Sequence, residues 1–220
     1  MTARLTDATT RRQRFTTQVR ALTDPVKGST RQRLASEAMT LFARKGYGGT
    51  SMREIAAAVG MQAASIYGHF PLGKRQVLMD GLLDILDDFL VHVVAPVRTD
   101  QDAADELTDV VSRHVTWRLD RGDMSLAWDA AYFGLGMTDV LEDNQMAELT
   151  AAVDSYRAYL ASLCAALGDP AEAEGTARAV MSLCDTCSRL RTHADEPDAA
   201  VVERVVSLAL RCCGTTRPTA

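Results

Sequence analysis

Apolar residues recur along most of the chain at the three- and four-residue spacing of an α-helix. After Ser29, for example, Leu34, Ala38 and Leu41 fall on one helical face. Ser29 is a good N-cap, and Gly46 supplies the left-handed turn that ends such a helix. Extended alternating patterns and internal repeats are not evident, so the pattern predicts an all-α protein.

The periodicity predicts nine helices. They cover residues 29–45, 51–59, 62–69, 74–95, 102–120, 124–134, 142–167, 171–192 and 198–213. Ser51 and Glu54 form a capping-box pattern at the start of the second helix. Residues 1–28 carry five arginines and almost no apolar periodicity, which predicts a basic, disordered arm. Residues 214–220 are expected to be a short tail.

The charge is divided unevenly along the 220 residues. Residues 1–75 hold 13 Lys and Arg against 4 Asp and Glu, whereas residues 76–220 hold 11 against 25. This division indicates that only the N-terminal part faces a polyanion. A uniformly acidic soluble enzyme is not expected to show it.

The basic part contains a helix, a glycine turn and a short helix over residues 51–69. This is the helix-turn-helix layout, in which the first helix braces a second that can enter the DNA major groove. Gly60 permits the tight turn because it has no Cβ. Many helical hairpins contain glycine, so the layout alone is a signal of moderate strength.

The flanking residues make the pattern much more specific. They read Leu41-Phe42-Ala-Arg-Lys-Gly46-Tyr47-Gly-Gly-Thr50-Ser51, then Ile55-Ala56, Val59-Gly60 and Ile66-Tyr67-Gly-His69-Phe70-Pro71. This skeleton closely resembles the N-terminal domain of TetR/AcrR-type transcriptional regulators. The resemblance implies a helix-turn-helix DNA-binding domain over residues 29–75 and a helical ligand-sensing and dimerisation domain over residues 76–213. It further implies a homodimer on a palindromic operator, more often a repressor than an activator, that a small apolar or amphiphilic effector releases.

The resemblance and the surrounding basic face give a set of candidate DNA-binding residues. The set is Thr50, Ser51, Arg53, Gln62, Ala63, Ala64, Ser65, Tyr67, His69 and Lys74. Tyr67, His69 and Lys74 match family positions that usually contact phosphates, and Thr50 and Ser51 match a cap that sets a helix N-terminus against a phosphate. Gln62 and Ala63 replace the Ser and Lys of many relatives, so the operator sequence cannot be transferred from them. Ordinary packing is the alternative for Tyr67 and His69, and some arginines of residues 11–20 could enter a minor groove.

Most of the remaining aromatic residues lie between residues 117 and 159. The candidate ligand-binding residues are His114, Trp117, Arg118, Met124, Trp128, Tyr132, Phe133 and Tyr156. Aromatic and Met side chains describe an apolar pocket, but they describe a protein core equally well. An arginine beside an aromatic wall could hold the carboxylate or phosphate of an acidic amphiphile, such as a fatty acid or acyl-CoA. Ion pairs with neighbouring Asp residues are the alternative.

The last two predicted helices, within residues 171–213, are apolar enough to be covered on two sides and are predicted to form the homodimer interface. Cys184 and Cys187 are interpreted as small apolar residues in a helical face, with metal or thiol sensing as the alternative. The four histidines show no metal-ligand spacing, so neither a metal nor a cofactor is expected. The sequence shows no signal peptide and no membrane span, which predicts a cytoplasmic protein.

Two other classes of function remain open at this point. An all-α enzyme could use His114, Asp129 and Tyr132, although no set of nucleophile, base and orienting group stands out. A DNA-binding protein without a ligand is the other class. The expected protein is a ligand-responsive, non-enzymatic regulator that binds double-stranded operator DNA.

Overall fold

The computed structural model describes residues 2–22, 29–98, 101–132 and 140–215, and within these residues it contains helices and no β-strand. The helices are α1 (Thr2–Leu22), α2 (Thr30–Lys45), α3 (Met52–Ala58), α4 (Ile66–His69), α5 (Lys74–Phe89), α6 (Ala103–Asp120), α7 (Gly122–Tyr132), α8 (Asp143–Leu167), α9 (Ala173–Asp185) and α10 (Asp198–Cys212). A π-helical turn, Leu90–Val94, continues α5, and a 3-10 turn, Cys187–Leu190, follows α9. The predicted all-α fold is confirmed.

The N-terminal segment differs from the expected disordered arm, because residues 2–22 form α1. Phe15 and Val19 are spaced four residues apart and are 1% and 0% exposed, respectively. The Phe15 ring lies 5.5 Å from that of Tyr156 and 6.5 Å from that of Phe89. The Arg12 guanidinium donates to the main-chain carbonyl of Val97. Two buried residues among the side chains described for residues 9–22 are too few to give a visible periodicity, yet they hold this polar helix on the protein.

The predicted helix over residues 171–192 is interrupted. Helix α9 ends at Asp185, and the Thr186 hydroxyl donates to the Ser182 carbonyl at 2.6 Å. Such a side-chain bond competes with the helical bonds of the main chain. The Arg189 N–H then donates to the Thr186 carbonyl at 2.9 Å, which begins the 3-10 turn.

The chain forms two compact units that do not follow its order. The first unit is Val19–Asp88 with Arg121–Thr150, and the second is Met1–Gln18 with Phe89–Asp120 and Ala151–Ala220. The first unit contains α2 to α5 and α7, with α2 packed on α3 and α7. In the second unit α6 packs on α9 and α10.

Fully buried aliphatic side chains form the core of each unit. In the first unit they include Leu34, Ile55, Ile66 and Leu78, and in the second Leu107, Val110, Leu160, Val201 and Val205. Helices α2 and α5 approach closely at Gly81, where a Cβ would lie only 2.4 Å from Met39 Cγ. None of the helices within the described ranges is long and apolar enough to cross a membrane.

Candidate nucleic-acid interface

Helices α3 and α4 are joined by a tight turn in the first unit. Gly60 has a φ of 73°, a conformation that favours glycine, and the Met61 N–H donates to the Ala56 carbonyl at 2.8 Å. Ile55 and Ile66, one from each helix, are fully buried. The predicted helix-turn-helix layout is therefore present, with its apolar residues on the inner side.

The capping box at the start of α3 is also confirmed. The Glu54 N–H donates to Ser51 Oγ at 3.2 Å, and the Ser51 N–H donates to Glu54 Oε2 at 2.9 Å. Lys45 Nζ lies 2.8 Å from Glu54 Oε1. The hydrogen bond from Lys45, followed by those from Ser51, lowers the pKa of Glu54 to about 2. These contacts fix the direction of α3, and Ser51 and Arg53 remain exposed beside it.

The second helix of the pair is shorter than expected. The sequence predicted a helix over residues 62–69, but α4 covers only Ile66–His69. Residues 63–65 form a turn instead, in which the Ser65 N–H donates to the Gln62 carbonyl at 3.0 Å. The N-cap residue of α4 is Ser65, and no side-chain hydrogen bond caps the helix.

This turn and helix present their side chains to solvent. Gln62, Ala63, Ala64 and Ser65 are exposed, and His69 is half-buried. Tyr67 is 53% exposed, whereas its neighbour Ile66 and the following Phe70 are fully buried. The alternative that Tyr67 is a packed core residue is therefore excluded. A short segment with a buried inner side and small or polar outer residues is the form that a DNA-reading element takes.

Thr50 and Lys74 have structural contacts that the sequence did not indicate. Thr50 is 2% exposed, and its hydroxyl donates to the Gly46 carbonyl at 3.0 Å. This hydroxyl closes the loop between α2 and α3, and the placement of Thr50 in a cap that faces a phosphate stays a prediction. Lys74 Nζ donates to the carbonyls of Tyr47 and Thr50 at 2.6 and 2.8 Å and lies 4.2 Å from the centre of the Tyr47 ring. Two of its three N–H donors are thus used within the protein.

The candidate ligand-binding residues are divided between the two units. His114, Trp117, Arg118 and Tyr156 lie in the second unit, whereas Met124, Trp128 and Tyr132 lie in the first. In the first unit, the rings of Trp128 and Tyr132 are stacked with centroids 5.0 Å apart. The predicted residue Phe133 lies outside the described residues.

The group in the second unit is tightly packed. His114, Trp117 and Tyr156 are each 3–4% exposed. The Phe89 ring lies 4.9, 5.1 and 5.0 Å from their rings, respectively. Phe89 lies outside the aromatic-rich stretch of residues 117–159, so sequence reasoning missed its central place in this cluster.

A buried polar network runs through the same cluster. His114 Nδ1 lies 3.1 Å from the Tyr156 hydroxyl, and His114 Nε2 lies 3.3 Å from Asp185 Oδ1. Both contacts are satisfied if the His114 proton is on Nε2. The Nε2–H then donates to Asp185 Oδ1, and the Tyr156 hydroxyl donates to Nδ1. Burial raises the pKa of Tyr156 well above its usual value, which keeps this donor protonated. Arg118 donates to the Asp185 carbonyl at 2.7 Å.

Arg118 and Arg121 each have an Asp partner. Besides the contact of Arg118 with Asp185, Arg121 Nε lies 2.6 Å from Asp88 Oδ2 in the first unit. Cys184 and Cys187 are both buried, and burial raises the pKa of each thiol. Within the described ranges, no three His, Cys, Asp or Glu side chains are grouped as metal ligands.

The fold and the turn geometry define an all-α protein with an N-terminal helix-turn-helix. Residues 34–79 match the family described as bacterial regulatory proteins, tetR family. Over 55 residues the chain is 36% identical to the HTH-type transcriptional regulator LmrA of Bacillus subtilis (strain 168), an alignment that covers 25% of this chain and 29% of LmrA.

Solved structures extend the likeness to most of the chain. A bacterial regulatory protein in the tetR family from Rhodococcus RHA1 is 27% identical, with a TM-score of 0.73, and the match covers 86% of this chain and 100% of that one. AibR, solved in complex with isovaleryl coenzyme A and operator DNA, shares the fold at 20% identity, with a TM-score of 0.69 over 81% of this chain and 97% of AibR. Residues 34–79 thus match the tetR-family model, and most of the chain shares the fold of solved tetR-family structures.

Proposed function

We propose that the protein is a ligand-responsive transcriptional regulator that binds double-stranded operator DNA through α3, α4 and the turn between them. The observation that carries this proposal is the exposure of Tyr67 on α4. Ile66, which precedes it in the helix, and Phe70, which follows the helix, are both fully buried. Packing does not account for a large aromatic side chain in that position, whereas contact with a DNA backbone does.

Exposed basic side chains of the same unit support the proposal. Arg33, Arg44 and Arg53 are exposed, and within the described residues none of them is paired with a carboxylate. Basic side chains that neutralise phosphates release counterions, which gives sequence-independent affinity and a strong salt dependence. The exposed Gln62 and Ser65 side chains can form hydrogen bonds with base edges, and Ala63 or Ala64 can meet a thymine methyl group.

We further propose a homodimer formed through residues 171–213. The half-buried apolar side chains of Met181 and Leu183 on α9 and of Val202 and Leu208 on α10 support it. A two-fold dimer would set two reading segments about one DNA turn apart, roughly 34–36 Å, on a palindromic site. Light scattering at micromolar concentration tests this interface, and a monomer would contradict it.

The proposed effector is a small apolar or amphiphilic molecule that reaches the cluster of His114, Trp117, Arg118 and Tyr156. AibR was solved with isovaleryl coenzyme A, an acidic amphiphile of the kind that an arginine beside an aromatic wall can hold. Since the cluster is closely packed, the effector must displace some of these side chains in order to enter. A ligand that binds better to such an opened form shifts the population towards it, and we expect that form to release DNA.

Selection of bound DNA from a random pool is the experiment that tests the function. Recovery of a palindrome whose half-sites are one helical turn apart is the expected result. If no sequence is enriched and no salt-dependent binding is detected, the protein does not act through DNA. Calorimetric titration of candidate amphiphiles, with release of the selected DNA as the second readout, distinguishes a ligand-responsive regulator from a DNA-binding protein without a ligand.

A further inference from the structure

The side chain of Arg31, in the first turn of α2, contacts two other segments of the first unit. Its Nε donates to Asp80 Oδ2 of α5 at 2.5 Å, and its Nη1 donates to the His69 carbonyl at the end of α4 at 3.1 Å. The guanidinium also lies 5.0 Å from the centre of the Phe70 ring. One side chain therefore connects α2, α5 and the end of the candidate reading helix.

Helix α4 depends on such outside contacts for its direction. It contains only four residues, and the Phe70 N–H donates to the Ile66 carbonyl at 2.9 Å to close its one turn. A helix of this length is not stable alone, and its last carbonyls lack partners within the helix. Arg31 supplies a charged donor to one of these carbonyls, that of His69, and stacks on the ring that follows.

Asp80 fixes the position of the Arg31 guanidinium. It lies one residue before Gly81, where the absence of a Cβ lets α5 approach Met39 of α2 closely. The Arg31 and Asp80 side chains are 44% and 24% exposed, and exposed ion pairs contribute little to stability on average. The main effect of this ion pair is therefore to position Arg31 against the end of α4, and its contribution to stability is small.

We propose that Arg31 and Asp80 are positioning residues for DNA recognition, which hold the direction of α4, and with it Tyr67, relative to α5. This inference rests on the proposed DNA-binding function. The competing explanation is that Arg31 contacts a phosphate directly. The two explanations predict opposite effects of removing the negative charge of Asp80.

The test measures affinity for the selected operator at several salt concentrations by fluorescence anisotropy. Asp80→Asn removes a negative charge from a DNA-binding unit, so electrostatics alone predicts tighter binding. If Asp80 positions Arg31, binding becomes weaker instead, by roughly 3- to 30-fold, as expected for groups that are coupled through contact. Glu37→Gln is the matched control, since it makes the same change of charge at an exposed position on α2, and it should not weaken binding.

A second variant separates positioning from phosphate contact. Arg31→Gln should weaken binding by a similar factor with an unchanged salt slope, and the double variant with Asp80→Asn should be no weaker than Arg31→Gln alone. A fall of the slope by about 0.9 would identify Arg31 as a phosphate contact. Circular dichroism confirms that each variant is folded. If the unmodified protein binds no DNA, the proposed function fails, whereas if it binds and Asp80→Asn behaves like Glu37→Gln, only this inference fails.

Discussion

A buried hydrogen bond between Tyr159 and Glu106 predicts a loss of stability that depends on pH. The Tyr159 hydroxyl donates to Glu106 Oε1 at 2.8 Å in the second unit, and the two residues are 0% and 1% exposed. Burial raises the pKa of Glu106 above its usual value, while the bond from Tyr159 and the charge of Arg12 oppose that rise. Tyr159→Phe keeps the ring and removes the donor.

The expected loss of stability follows from the kind of hydrogen bond that Tyr159→Phe removes. A hydrogen bond to a charged group contributes about 1.5–3 kcal/mol to stability. For a chain of this length, each 1 kcal/mol lowers Tm by about 2–4 °C, so Tyr159→Phe should lower it by about 3–12 °C near neutral pH. Without the donor, the pKa of Glu106 in the folded state rises further above its value in the unfolded chain. The folded state then binds the proton more tightly, so stability is lost as pH rises through the folded-state pKa.

Thermal unfolding followed by circular dichroism between pH 4 and pH 8 measures this effect. The variant should lose more stability at the upper end of this range than at the lower end, because an ionised Glu106 is left without its donor. Glu106→Gln in the Tyr159→Phe background is the control, because it removes the titrating group and should abolish the difference. An equal loss at both pH values would show that the bond does not act on an ionised carboxylate.

Three further predictions concern the first unit. Tyr67→Ala should weaken binding to all DNA sequences without lowering Tm. The control Leu126→Ala, which truncates a 62% exposed side chain on α7, should change neither the DNA affinity nor the Tm. If a gel shift shows the same DNA affinity for Tyr67→Ala as for the unmodified protein, α4 is not the DNA-reading helix. Gln62→Ala or Ser65→Ala should change the sequence recovered from a random pool, and an unchanged preference would mean that other residues read the bases. Since contacts to Lys45 and Ser51 lower the pKa of Glu54 to about 2, its stabilising effect should persist above the ordinary value of 4.5 and disappear as pH falls towards 2. Urea unfolding across this range should therefore show a pH-dependent component that Glu54→Gln removes.

Local signals predicted most of the helix-turn-helix correctly. The cap of α2 at Ser29, the left-handed Gly46 and Gly60, and the box of Ser51 and Glu54 each involve residues within a few positions of one another. Their geometry is therefore encoded in a short stretch of sequence. The length of α4 was overestimated because the same short-range pattern is compatible with a turn followed by one helical turn.

Contacts between distant residues could not be inferred in this way. Lys74 reaches carbonyls 24 and 27 positions earlier in the chain, and the Thr50 hydroxyl is buried within its own loop. Both residues match the family pattern, but a match does not reveal whether a side chain faces DNA or its own fold. Helix α1 was missed for a related reason, since Phe15 has apolar partners only once Phe89 and Tyr156 have been brought beside it.

The packing of Phe89 limits how the proposed effector enters the second unit. Its ring lies about 5 Å from those of His114, Trp117 and Tyr156, so a molecule that enters among these side chains must displace it or one of them.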